Sequence, residues 1–170
     1  MKIYKVGGVI RDELLGFAPG ETDWVVIGSS PEEMFSHGFK KVGKDFPVFL
    51  HPQTKEAYAL GRKEKKVGKK HGDFEFIFDK TISLEEDLQR RDLTINAIAQ
   101  NENGDLIDPF GGLNDLKKKV LRHVSESFFE DSLRALRLAR FYSKFSDFQI
   151  HPSTKKILQK ISQSGELHYL

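Results

Sequence analysis

The chain has 170 residues, 38% of them hydrophobic and 31% charged, which suits one cored domain or one domain with a small appendage. The net charge is +2, so any affinity for nucleic acid has to come from local patches rather than a global field. There are no cysteines and no run near the ~18 apolar residues of a membrane span, which excludes a disulfide framework, a cysteine-ligated zinc site and a spanning helix.

Lys2–Val6 is apolar and β-branched enough for a strand, and the chain enters it without a secretory signal, so a cytoplasmic protein is expected. Gly7 and Gly8 follow, where backbone comes close to a ligand, and Arg11 stands one turn into the next helix. Glu21 and Asp23 lie two apart at the mouth of a second strand, Trp24–Ile27. In an extended chain residues i and i+2 face the same side, so both carboxylates would address one spot beside glycine amides and an arginine. Two hard oxygen donors suit Mg²⁺, and amides with a guanidinium suit phosphates. Alone, a Gly-Gly pair is more often only a turn and an acidic pair more often only solvated. The order and spacing together make the pattern specific.

Ser30-Pro31-Glu32-Glu33 has the cap, proline and glutamate of a helix start, and that helix should stop near Gly38. Between Lys41 and Leu50 a Val-Gly turn leads into a strand at Phe46–Leu50. His51–Thr54 is a turn, and Glu56–Leu60 is the return strand. Arg62–Gly72 carries six Lys/Arg against one Glu and two glycines. It reads as a solvated mobile loop, or as a flexible basic loop over a triphosphate or RNA backbone. Phe74–Phe78 reads as a half-buried strand.

Ser83-Leu84-Glu85-Glu86 is a capping box, expected to launch a helix that runs through Gln89 to Ala97. Within it, Arg91 and Asp92 read as a surface ion pair worth less than about 1 kcal/mol. A turn at Asn101–Gly104, a short strand from Leu106 closing on Gly111-Gly112, and helical composition over Leu113–Leu121 follow. Strands and helices thus mix as in an α/β or α+β sheet with helices packed on it.

From Ser125 the character becomes helical, with one helix expected over Glu130–Phe145 and no strong strand after it. At about 100° per residue, Arg134, Arg137 and Arg140 share an arc of about 120° with Leu133 and Phe141. Ser132, Ala135, Leu136 and Ala139 form the opposite face, suited to close packing. Asp131 and Arg134 have the i, i+3 spacing of a helical ion pair. The arginine stripe reads either as surface or as an anion site. The histidines are scattered without metal-ligand spacing.

In order, VGGVIRD, ETDWVVIG, RRDLTINAIA, DPFGG and EDSLRALRLARF resemble the motifs of class II tRNA nucleotidyltransferases, the CCA-adding enzymes, kin of bacterial poly(A) polymerases. The resemblance covers essentially the whole chain and is closest to the bacterial CCA-adding branch. It implies a polymerase-β-like nucleotidyltransferase head over residues 1–122, with a mixed sheet and flanking helices, then the start of a helical neck over 123–170, with further domains expected beyond. It also implies template-independent addition of CMP and AMP, from CTP and ATP, to the 3′ end of tRNA with Mg²⁺. By resemblance, Gly8 and Arg11 belong to the triphosphate turn, and Glu21 and Asp23 to the catalytic, metal-binding pair. Arg91 and Asp92 fall in the ribose and nucleotide motif. Asp131, Arg134, Arg137 and Arg140 fall in the base- and phosphate-contacting helix, and Gly111-Gly112 in a hinge-like motif.

One departure stands out: Glu21 occupies a position where the family has aspartate. The extra methylene displaces its oxygen by about 1 Å, which can cost on the order of 10²-fold in rate. A nucleotide-binding fragment with little or no turnover, because of Glu21 and the further domains not in this chain, is one alternative reading, and a poly(A)-polymerase-like RNA extender is another. The terminal helix from His151 is expected to expose an apolar face.

Overall fold

The computed structural model describes residues 1–18, 20–43, 48–68, 73–165 and 167. Its centre is a mixed seven-stranded sheet in the order β3-β4-β5-β2-β1-β8-β9. The strands are β1 (Lys2–Val6), β2 (Asp23–Ile27), β3 (Lys40–Val42), β4 (Val48–Leu50), β5 (Ala57–Leu60), β8 (Ala99–Gln100) and β9 (Leu106–Ile107). The first two pair antiparallel with Val6 opposite Asp23, while β2 and β5 run parallel. That register sets Asp23 beside the Val6–Gly7 corner where α1 (Gly8–Leu14) departs.

Three further helices pack on the sheet: α2 (Pro31–Ser36), α3 (Leu84–Gln89) and α4 (Gly112–Lys118). The two expected capping sites are present, with Ser30 Oγ accepting from Glu33 N and Ser83 forming a full capping box with Glu86. Asp108 caps α4 by accepting from Gly112 N at 2.7 Å and Leu113 N at 2.9 Å. A Cβ on Gly112 would lie 2.2 Å from the Thr94 carbonyl oxygen, so only glycine lets α4 sit this close.

Several expectations change. The stretch Arg62–Gly72 is not simply a loop: β6 (Lys63–Lys66) pairs antiparallel with β7 (Phe74–Ile77) in a separate two-stranded sheet. Cross-strand Lys65–Glu75 and the Lys63–Glu86 ion pair at 2.8 Å offset its like charges. Lys69–Gly72 lie outside the described residues, as do Phe46 and Pro47 of the strand expected at Phe46–Leu50. The helix begun at Ser83 does not reach Ala97; it ends at Gln89, and Thr94–Asn96 make a single 3₁₀ turn. Helix α4 stops at Lys118 because Lys119 turns left-handed, with φ of 57°. There β10 (Val120–Leu121) pairs parallel with β11 (Gln149–Ile150), a strand the sequence did not signal.

The helix expected over Glu130–Phe145 is divided as well. Glu126–Glu130 form a 3₁₀ turn, Asp131 is extended, and α5 runs Leu133–Lys144. Its small face is divided: Ser132 is buried and Ala135 packs on the core, whereas Leu136 is 53% exposed and Ala139 is exposed; Arg134, Leu138 and Phe141 are buried. Leu138 and Phe141 remove more apolar surface from water than alanines and serine would, and acidic partners allow Arg134 to follow them inward. The last helix, α6 (Pro152–Ser164), does not leave its apolar face bare, because Thr154, Ile157 and Ile161 are buried. Ile157 and Ile161 join Val9, Ile10, Leu93, Phe128, Phe145 and Phe148 in one core cluster that runs across position 122. No described helix is long and apolar enough to cross a membrane.

Replacing Gly112 by alanine is expected to lower the unfolding free energy by about 2–3 kcal/mol, since the new methyl meets backbone rather than a movable side chain. Urea denaturation of the two proteins measures it; equal midpoints would contradict the close approach of α4 to Thr94.

Candidate active site

A cleft of about 590 Å³ opens where the β1–α1 corner, β2, the β6 strand, the segment after α3 and α5 meet. Seven arginines and four carboxylates line it among the described residues. Gly7 forms the floor with φ of +81°, and a Cβ there would lie 3.1 Å from Arg91 Nη1 and 3.8 Å from Asp23 Oδ2. Asp23, at the start of β2, is exposed to the cleft and makes no ion pair or side-chain hydrogen bond among the described residues. Glu21 is also exposed but sits at a bend before the strand begins and does not line the cleft. The same-side argument needs extended backbone, and here the strand begins only at Asp23.

Arg11 points inward and is 5% exposed. It donates to both carboxylate oxygens of Asp12 at 2.9 Å and to Asn96 Oδ1 at 2.5 Å. Its guanidinium also lies 5.0 Å from the Phe141 ring centre. Arg91 and Asp92 do not pair with each other. Arg91 Nη2 reaches Asp87 Oδ2 at 3.2 Å, and its buried Nε has no hydrogen-bond partner. Asp92 is 6% exposed; it accepts from Leu93 N at 2.7 Å, Asn96 Nδ2 at 3.0 Å and Arg137 Nε at 2.8 Å. Burial works to raise its pKa, but Arg137 and the hydrogen bonds outweigh it and hold the carboxyl below its ordinary value. Asp87 behaves alike, with Arg90 and Arg91 as the cations.

On α5 the three arginines differ. Arg137 keeps 51% of its side chain exposed while pairing with Asp92, and Arg140 is exposed, 5.7 Å from the Phe141 ring centre. Arg134 is enclosed: Nη1 donates to Ser127 O at 3.0 Å, and Nη2 lies 3.5 Å from Glu64 Oε2. Its Nε is 3.9 Å from Asp131 Oδ2, the spacing anticipated for that pair. Burial pushes the Arg134 guanidinium below its ordinary pKa, and Glu64 and Asp131 oppose that shift.

Nine of the ten sequence-derived site residues thus converge: Gly8, Arg11, Asp23, Arg91, Asp92, Asp131, Arg134, Arg137 and Arg140 line the cleft, and Glu21 does not. Arg62, Glu64, Arg90 and Asn96 line it too and were not singled out. Glu64 carried one usable signal, as the lone acid in a basic stretch; Asn96 carried none. Asp23 and Glu21 are hard oxygen donors, and one or two carboxylates completed by substrate phosphates are the usual protein share of a Mg²⁺ site. Among the described residues no group of three acidic or histidine side chains could hold a metal by itself. The cleft can therefore draw in a polyanion with its guanidiniums while presenting one unpaired carboxylate to it.

Residues 3–122 match the family described as the Poly A polymerase head domain. Over its whole length the chain is 58% identical to a CCA-adding enzyme of Coxiella burnetii, of which it spans 45%. Among solved structures, the CCA-adding enzyme of Bacillus stearothermophilus in complex with CTP aligns over 91% of this chain and 38% of its own, at 37% identity and a TM-score of 0.70. The Thermotoga maritima CCA-adding enzyme complexed with tRNA(CCA) aligns over 99% of this chain and 40% of its own, at 30% identity and a TM-score of 0.73.

The pairing of Asp92 also sets an acid limit on the site. A carboxyl with a lowered folded-state pKa contributes stability above its unfolded value of about 3.9, and loses it as the pH falls through the lower folded value. Asp92→Asn is expected to be less stable than the parent at pH 7, with the difference shrinking below about pH 4. Urea titrations of both proteins across that range test this; a difference that does not change with pH would show that charge is not the cause.

Proposed function

The chain belongs to the poly A polymerase head-domain family, and from that premise we propose that it is the catalytic part of a CCA-adding tRNA nucleotidyltransferase. It transfers CMP and AMP from CTP and ATP to the 3′ end of tRNA without a nucleic-acid template. The observation that carries the reading is the unpaired Asp23 carboxylate in a cleft walled by guanidiniums. The named relatives support it, one solved with CTP and one with tRNA. We assign residues 1–122 to the head and 123–170 to the start of the neck, in a cytoplasmic protein.

In this reading Asp23 would hold Mg²⁺ together with the substrate phosphates, and Glu21, at the bend before β2, would have to turn toward the cleft to serve as the second carboxylate. When bound, Mg²⁺ supplies charge neutralisation at the phosphates and a lower pKa for the attacking 3′-hydroxyl. The protein's share is positioning and charge. Arg137 and Arg140 face the triphosphate from the exposed side of α5, and Gly7 and Gly8 let it approach backbone. Arg11, gripped by Asp12 and Asn96, keeps that corner in place and adds positive charge beneath it. Arg91 brings its Nη1 to the Gly7 floor, 3.1 Å from where a Cβ would stand.

Base choice follows from donor and acceptor patterns. Cytosine and adenine each place an exocyclic amino donor beside a ring-nitrogen acceptor. The Asp131 carboxylate only accepts and the Arg134 guanidinium only donates, so together they match both bases and oppose guanine and uracil.

A second reading is favoured by one observation: Glu21 stands outside the cleft, so the chain binds nucleotides but turns them over poorly. Incubation with tRNA lacking its terminal CCA, labelled CTP and ATP, and Mg²⁺ separates the two. The transferase reading expects CMP and AMP at the 3′ end; CTP binding without incorporation would support the second. Glu21→Asp is expected to raise the transfer rate, by up to about 10²-fold. Arg134→Ala is expected to lower the preference for CTP over UTP by on the order of tenfold. Unchanged selectivity in a binding competition would remove Arg134 from base reading.

A further inference from the structure

Phe17 follows α1 and is 50% exposed. A lone exposed ring is ordinary on a protein surface. This one is held in place and has a cation beside it. Its backbone N–H donates to the Asp12 carbonyl at 2.9 Å, which seats it at the end of α1. Its ring stacks on the buried Phe145, just past α5, with centres 6.2 Å apart and planes inclined by 24°. Lys144 stands next to both, its Nζ 5.6 Å from the Phe17 ring centre and 5.2 Å from that of Phe145. Phe145 covers one side of the Phe17 ring, so the exposed half lies away from it.

Positive charge is in surplus here. Lys144 Nζ lies 3.5 Å from Asp12 Oδ2, but that carboxylate already accepts from Arg11 on both oxygens, each at 2.9 Å. One carboxylate thus serves two cations, and the Lys144 side chain remains 48% exposed. The spot is also continuous with the cleft. Arg11 lines the cleft, and its guanidinium lies 5.5 Å from the Phe145 ring centre. On α5, Arg137, Arg140 and Lys144 fall within an arc of about 60°, and Lys144 stands about 6 Å beyond Arg140 along the axis. The basic stripe therefore runs on past the arginines assigned to the triphosphate, by a distance on the scale of a nucleotide step.

We propose that Phe17 and Lys144 form a subsite for single-stranded RNA at the rim of the cleft: an unpaired base of the acceptor strand stacks on Phe17, and the adjoining phosphate pairs with Lys144. The proposal rests on the transferase reading given above, which requires a strand to receive the nucleotide. A half-exposed ring beside an under-neutralised cation matches an unpaired nucleotide, because every base has a π-face and every linkage a negative charge. Neither group reads a base edge, so the subsite holds RNA without regard to sequence. Its effect falls on the affinity for the acceptor and not on that for CTP or ATP.

Binding of a tRNA ending in CC is measured by fluorescence anisotropy, and binding of CTP by calorimetry, for the parent, Phe17→Ala, Phe17→Trp and Lys144→Gln. Phe17→Ala is expected to bind the tRNA on the order of tenfold more weakly, with CTP affinity unchanged, and Phe17→Trp to bind it at least as tightly as the parent. Lys144→Gln is expected to weaken tRNA binding and to reduce the slope of log affinity against log salt by about 0.7, the share of one phosphate contact. Parental tRNA affinity in Phe17→Ala would overturn the subsite, as would a loss that Phe17→Trp does not restore or an unchanged salt slope in Lys144→Gln. An equal loss of CTP affinity in Phe17→Ala would also overturn it, since Phe17 would then be a support of the cleft. Failure of the parent itself to bind this tRNA while still binding CTP would sink the transferase reading, and the subsite with it.

Discussion

A single chain of hydrogen bonds through the buried Asn96 and Asp92 holds the cleft in shape. Arg11 donates to Asn96 Oδ1, Asn96 donates to Asp92 Oδ1, and Arg137 donates to Asp92 Oδ2. Those four side chains come from α1, the segment after α3 together with its 3₁₀ turn, and α5. Asp92 and Asn96 are each 6% exposed, so removing one partner would strand a polar or charged group away from water. The arrangement therefore behaves as a unit. It orients the floor, one wall and the arginine helix together, and the remaining functional groups take their places from it.

The electrostatics of the cleft follow from how completely each cation is matched. Arg11 is pinned by Asp12 and Asn96, and Arg90 is held by Asp87 and Glu64. Burial pulls the Arg62 guanidinium down to about 10; Arg90 adds to this, and Glu64 and Asp87 oppose it. Arg137 and Arg140 keep exposed surface turned to the opening. Interior arginines are thus matched by acids and serve as structure, whereas outer ones remain available to a polyanion. Among the described residues that line the cleft, Asp23 stands apart as the carboxylate without such a partner.

Packing explains why α5 can serve a site built mainly from the sheet domain. Leu138, Phe141 and Phe145 enter the same apolar cluster as Val9, Ile10 and Leu93, and Ile157 and Ile161 of α6 close it from behind. The arginine stripe lies next to this buried row, so burying the row turns the stripe toward the cleft. Close packing also makes the placement rigid, since interiors of this density do not absorb small displacements.

The sequence by itself determined the kinds of groups present, their order and most of the local structure. Capping residues at Ser30 and Ser83 and the β1 and β2 strands were legible because caps and strand alternation act over a few residues, and nine of the ten expected site residues were legible through motifs that resemble a known family's. Tertiary structure alone decided the partners. Asp92 could not be matched with Arg137 rather than its neighbour Arg91, nor Glu64 with Arg134, until chains 45 and 70 residues apart were folded together. It also decided which face of α5 is buried, and that β6 is a strand. Each outcome depends on long-range burial and charge neutralisation, and local spacing carries no record of either. The same reason separates Asp23 from Glu21: two residues apart in sequence suggested one shared direction, but the strand that would enforce it begins only at Asp23.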